Sequence, residues 1–265
     1  MYIRIRFAKY GVVKFIGHLD VMRYFQKAVR RSGLAIKYSN GYSPHQLMVF
    51  ASPLGVGITS DGEIMDIEIE DSAPECRAEN PAEAVAETLG KALTEGFEII
   101  SARVIPWTEG EKRPDNAMSL VSAADYLVSV KDGYELCETA PELPVSISEI
   151  KEKFEKYMAQ DKIIVSKKTK SGEQELDIKP YIYKAAFASG TEELFLAGEE
   201  VVHADSYEGG NRFALSLAAG SSVNIKPELV IEDFCNYAGI CYNRFAFQIH
   251  RGAMYTGDSG ALQLL

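Results

Sequence analysis

No run of about 18 apolar residues, the length a membrane-crossing helix needs, occurs in this chain, although 46% of its 265 residues are hydrophobic. Its four cysteines, Cys76, Cys137, Cys235 and Cys241, stand far apart. Neither a zinc spacing nor a three-cysteine cluster motif can be made from them. The glycine-rich PLGVG at 53–57 lacks the GK[ST] of a phosphate loop and reads as a strand crossover. There is no Ser/His/Asp nucleophile motif, and histidines number only four. The opening MYIRIRFAKYG has no apolar core or small-residue cleavage site, so no secretory signal is expected. These absences point to a cytoplasmic protein of bacterial type, off the membrane, with inert thiols and no resident metal or cofactor.

Positive charge is also scarce, and the formal net charge is -10. What there is lies unevenly. Residues 1–48 hold Arg4, Arg6, Lys9, Lys14, Arg23, Lys27, Arg30, Arg31 and Lys37 against the single acid Asp20. A basic segment in an acidic chain suggests a local anion site rather than general adhesion to nucleic acid.

Hydrophobic periodicity gives the order of elements. Residues 2–8 alternate as a half-buried strand, with Ile3, Ile5 and Phe7 inward. A helix is expected over 18–32, stopped by Gly33. Short strands follow near 35–38 and 47–51, then a turn at Ser60-Asp61-Gly62 and a strand over 63–70 with Met65, Ile67 and Ile69 inward. Asn80-Pro81-Ala82-Glu83 has the form of a capping box opening a helix to Glu95, and 97–105 is a strand. This is the ferredoxin-like βαββαβ order. It returns after Pro106, Gly110 and Pro114: a strand at 124–131, a helix capped by Ser146 and Glu149, a lysine-bearing hairpin turning at 170–173, and strands near 181–188, 193–204 and 212–218. A helix from Pro227 to Gly239 and a strand at 243–250 complete it. The expectation is an α+β chain of two tandem ferredoxin-like halves, the second enlarged with extra antiparallel strands. Residues 1–106 form the first, 107–122 a linker, 123–250 the second and 251–265 a loose tail.

On the 18–32 helix, Val21, Met22, Phe25, Ala28 and Val29 share one side and Arg23, Lys27 and Arg30 the other, with Arg31 close by. Like charges at these spacings repel, so the stripe faces either solvent or a partner. Phosphates of RNA are the partner that repays it, with Arg23, Lys27, Arg30, Arg31 and Lys37 as contacts. The exposed face of the first sheet is a weaker candidate. Its Tyr2, Arg4 and Arg6 stand opposite Ile64, Asp66, Glu68 and Glu70, a nearly neutral set without paired stacking aromatics. The YSNGYSPH segment at 38–45 adds Tyr38 and Tyr42 for stacking, Ser39, Gly41 and Pro44 for a tight turn, and His45. With His18 and Asp20 at the helix start it is expected to shape a polar pocket. A metal on His18, Asp20 and His45 is conceivable, but their spacing does not demand one.

GHLD, RRSGL, YSNGYSPH and PLGVG within the first 70 residues, KTKSGEQELDIKPYI at 168–182 and QIHRGAMY near the end together resemble an uncharacterised bacterial family of radical-SAM-linked proteins. That resemblance implies a radical SAM partner and work on RNA; it carries no established activity. Without CxxxCxxC, this chain is not itself the radical enzyme. Three functions are therefore carried forward. The first is an RNA-binding accessory of a radical SAM enzyme in RNA modification or processing. The second is an RNA endonuclease of ferredoxin-like architecture using His18 or His45 as general base. The third is a protein-interaction module whose basic stripe docks on an acidic partner.

Overall fold

The computed structural model of the chain describes residues 1–108, 110–139, 143–169, 172–190, 194 and 201–265, with backbone alone for 167–169 and 172–174. It mixes helix and sheet. Five helices and eleven strands occur among the described residues, nine strands forming one mostly antiparallel sheet. No helix there is long and apolar enough to cross a membrane.

The first run of elements is β1 (Tyr2–Lys9), α1 (His18–Ser32), β2 (Met48–Phe50), β3 (Thr59–Glu68), α2 (Pro81–Gly90) and β4 (Phe97–Ile105). Gly33 ends α1 in the left-handed region, φ 77°, where a residue without Cβ is unstrained. After α3 (Ala117–Leu120) come β5 (Ala123–Val130), α4 (Ile147–Met158), β6 (Ile164–Thr169), β7 (Gly172–Asp177), β8 (Ile182–Ala188), β9 (Arg212–Ala218), α5 (Pro227–Ala238), β10 (Phe247–Thr256) and β11 (Gln263–Leu264). The sheet runs β4-β1-β3-β10-β5-β9-β8, with β2 also on β3 and β11 on β10. β6 and β7 form a separate hairpin. The expected lysine patch on it, Lys167, Lys168 and Lys170, lies outside the described side chains. The expected strand at 193–204 falls largely outside the described residues, and 201–204 are not strand.

One parallel contact joins the two runs: Thr59 and Ser60 of β3 pair with His250 and Arg251 of β10. Each run keeps its own apolar core. Ile3, Ile5, Phe7, Val21, Phe25, Val29 and Met65 make the first. In the second, Phe154, Phe213 and Phe234 meet at centroid distances of 5.0, 5.1 and 5.7 Å. Each such ring stabilises by about 1.5–3 kcal/mol through burial.

Several local expectations change. Ser60-Asp61-Gly62 is not a turn but part of β3. Gly62 serves close approach, since a Cβ there would stand 2.6 Å from Ala253 Cα. α2 stops at Gly90, and the Asn80 side chain donates to Glu83 Oε2 at 2.9 Å instead of capping the backbone. The 107–122 segment is no free linker. Its Ala117 N–H donates to Asp66 Oδ2 at 2.6 Å, and Arg113 pairs with Glu68. The sheet face taken to be open is closed: Tyr2, Arg4, Arg6, Asp66 and Glu68 are all buried. The expected cross-strand pairing is there, Arg4 Nε donating to Asp66 Oδ1 at 2.8 Å. Nor is the tail loose. β10 continues to Thr256, β11 pairs with it, and the buried Leu265 accepts from Arg103 through its carbonyl.

Candidate nucleic-acid interface

α1 is amphipathic as its spacing requires. Val21, Phe25, Ala28 and Val29 are buried, while Arg23, Lys27 and Arg30 are exposed. Arg23 lies 3.3 Å from Asp20, an exposed pair of small energetic weight. Lys27 and Arg30 have no ion-pair partner among the described residues. The other two expected contacts are engaged elsewhere. Arg31 donates to the Ala92 carbonyl at 2.8 Å and lies over the Tyr24 ring. Lys37 pairs with Asp71 at 3.0 Å. Arg23, Lys27, Arg30 and Arg31 are thus all exposed, with Arg31 and Lys37 each tied to a neighbouring segment.

The 38–45 segment closes on itself. The Ser39 N–H donates to the His45 carbonyl at 2.8 Å, the His45 N–H donates to Ser39 Oγ at 3.1 Å, and Ser39 Oγ lies 2.8 Å from His45 Nδ1. Gly41 turns the chain at φ 118°. Pro44 is exposed and Tyr42 wholly so, with Tyr38 about half exposed. Gln46 Nε2 donates to the Gln26 carbonyl at 3.4 Å, tying the loop to α1. His18 meets Phe50 edge to face at 5.6 Å. Thus His45 is engaged by Ser39, His18 by Phe50 and Asp20 by Arg23.

Sequence reading missed a buried polar joint. Asp61 of β3 accepts the Val202 and His203 N–H groups on Oδ2 at 2.9 and 3.1 Å, and its Oδ1 lies 2.6 Å from His203 Nδ1. His250 Nε2 stands 3.2 Å from the same carboxylate, and His250 Nδ1 lies 2.9 Å from Thr59 Oγ1. His203 stacks on Tyr10 at 4.1 Å and reaches Glu98 at 3.2 Å. Burial pushes the Asp61 carboxyl up. His250, the His203 backbone and the His203 ring outweigh it and hold the group below the usual carboxylate range. Beside it, Arg251 grips Glu63 at 2.7 Å through both carboxylate oxygens, and Arg6 donates to the Asp61 and Gly252 carbonyls. These partners come from positions far apart in sequence, so periodicity cannot bring them together. No cluster suited to a metal ion occurs among the described residues.

Comparison with curated proteins gives no match. Residues 2–227, a span that includes α1, the 38–45 loop and Asp61, match the family described as an uncharacterized protein conserved in bacteria (DUF2344), and the chain belongs to that family.

Proposed function

We propose that this chain is a cytoplasmic RNA-binding accessory protein that works beside a radical SAM enzyme in RNA modification or processing. The stripe Arg23, Lys27 and Arg30 carries the RNA half of this reading. These are three exposed cations on one helix of a strongly acidic chain, at spacings that repel unless a polyanion lies along them. The exposed rings of Tyr38 and Tyr42 add stacking surface in the loop tied to that helix. The radical SAM partner rests on the sequence resemblance alone. Two ferredoxin-like units are the fold we assign. Strand orders β4-β1-β3-β2 and β10-β5-β9-β8, each with its helix crossovers, support that reading.

A protein dock is the second reading, favoured by Leu19, exposed at the start of the same helix, and Val12, exposed in the 3-10 turn before it. The endonuclease reading gains no support from His18 or His45, given the partners those rings already have.

The test replaces Arg23, Lys27 and Arg30 by Gln together. No apolar packing is lost, so the melting temperature should hold. Affinity for total cellular RNA should fall, and its logarithmic salt slope should flatten by up to about 0.7 to 0.9 per lost contact. A folded triple variant with unchanged affinity and slope would mean that the stripe is not the RNA contact but a solvated face or a protein dock.

A further inference from the structure

A cleft of about 910 Å³ opens between the 3-10 turn Gly11–Phe15, the glycine-rich loop at Val56 and Gly57, helix α5 and the residues entering β10. Its size falls among small-molecule sites, roughly 300–1,000 Å³. Three kinds of group line it. The first is flat rings: Phe245 is 58% exposed, and Tyr242 lies nearly parallel to Phe247 at 5.9 Å. The second is cations. The Arg244 guanidinium sits 4.6 Å over the Phe245 ring, and Lys131 lines the same space. Neither has a carboxylate partner among the described residues, whereas Lys14 at the rim is held by Asp205 at 2.6 Å. The third is carboxylates, Glu228 and Glu232, both from α5. Burial first, then these two acids, push the Tyr242 hydroxyl up to about 12, so it remains a donor at neutral pH.

This mixture narrows the ligand. A site for a simple anion would not carry two acids, and a site for an apolar molecule would not carry two unpaired cations. A ligand with a flat ring, hydroxyl donors and a phosphate uses all three kinds. We infer that the cleft binds a ribonucleotide unit, either free or at a single-stranded stretch of RNA. Its base stacks by Phe245 and Tyr242, its ribose hydroxyls donate to Glu228 and Glu232, and its phosphate meets Lys131 and Arg244. The single-stranded form of this inference rests on the RNA reading above; the free form does not.

The full chain would be titrated calorimetrically with AMP, with dAMP, and with short oligoadenylates of the ribo and deoxy series. Saturable binding of AMP or the ribo-oligomer is expected, with the deoxy counterpart weaker by about tenfold through loss of the 2′-hydroxyl donor. Phe245→Ala and Arg244→Gln are both exposed changes that should leave the melt intact. Each should weaken binding about tenfold, the size of one lost stacking or phosphate contact. Binding of AMP identifies a free nucleotide as sufficient; binding of the oligomer alone identifies a strand. The R23Q/K27Q/R30Q variant should bind AMP as the parent does. Absence of binding by both AMP and the ribo-oligomer at millimolar concentration overturns the inference. So does binding that F245A and R244Q leave unchanged, even if the α1 stripe proves to hold RNA. AMP binding by a protein that holds no RNA would overturn the RNA reading and leave the free-nucleotide form standing.

Discussion

Replacing Asp61 tests whether one carboxylate holds the 201–205 segment and the β3–β10 seam together. Its Oδ2 receives two backbone N–H groups, and both histidine rings touch the group. Asp61→Asn keeps the shape. The amide oxygen can still accept both backbone N–H groups, while its NH₂ turns to His203 Nδ1, whose proton then moves to Nε2 facing Glu98. What is lost is charge. Two bonds to a charged acceptor become neutral ones, at about 1 kcal/mol each, so destabilisation of about 2 kcal/mol is expected. Asp61→Ala removes the acceptor and orphans two amides at roughly 1–3 kcal/mol each, giving about 4 kcal/mol. The pH dependence has a definite sign. The folded carboxyl sits below the unfolded value of about 3.9. Its contribution is therefore whole above about pH 5 and drains as pH falls through and below 3.9. The gap between wild type and the Asn variant should narrow over that window. Urea midpoints at pH 7, 5 and 3.5 measure the gap, and amide exchange at Val202 and His203 localises it. An Asn variant as stable as wild type at pH 7, or a gap no smaller at pH 3.5 than at pH 7, would refute the reasoning.

Gly62→Val should part the seam, because a Cβ there would stand 2.6 and 2.7 Å from backbone atoms of Ala253 and Gly252. Backbone cannot yield as a side chain does, so a loss of about 3 kcal/mol or more is expected, read as a lowered urea midpoint; an unchanged midpoint would contradict the close approach. Thiol labelling of the native protein at pH 8 should modify the exposed Cys241 first and Cys76 and Cys137 more slowly. It should spare Cys235, which burial, with smaller effects of Cys241 and Glu232, pushes up to about 12. Rapid labelling of Cys235 before unfolding would show that its surroundings in α5 are looser than described.

How much of this was legible in the sequence varies with the physics behind each feature. α1 was readable from end to end, because its signals are local: a 3.6-residue apolar period and a glycine where a left-handed stop is needed. The Ser146–Glu149 capping box was readable for the same reason. Ser60-Asp61-Gly62 misled because turn chemistry and close backbone approach call for the same small residues. There the approach of Gly252 and Ala253, nearly 200 residues away, decided the outcome. The burial of Arg4 and Arg6 was not readable. Alternation assigns charged residues to the outer face of a strand, and only the return of the 107–122 segment and the tail covers that face. Of the expected site, Arg23, Lys27 and Arg30 stand as the helical period places them, while Arg31 and Lys37 find partners in α2's exit and at Asp71. Spacing along a helix fixes direction, but not what another segment brings to meet it.

The same seam explains why the cleft lies where it does. β3 pairs Met65, Asp66 and Ile67 with β2 and its first two residues, Thr59 and Ser60, with β10, so the two runs of elements meet along a short parallel contact rather than a full ladder. A short contact leaves backbone and side chains at its ends to be satisfied by other means. At one end this is done with buried charge: Asp61 with two imidazoles, Glu63 with Arg251, and Arg6 on two carbonyls. Such pairs are costly to bury and stabilise little in net terms. They do fix register, because breaking one leaves an unpaired charge inside. A seam held in one register also holds the residues on either side of it at fixed separation. Gln248, two residues before His250, donates to the Gly57 carbonyl at 2.8 Å and lies 3.3 Å from Lys14. The glycine-rich loop and the 3-10 turn that wall the cleft are thereby fastened to the strand whose first residues form its floor. Loosening the Asp61 joint should therefore weaken nucleotide binding in the cleft without touching a residue that lines it, and calorimetry of Asp61→Asn with AMP at pH 7 would detect that loss.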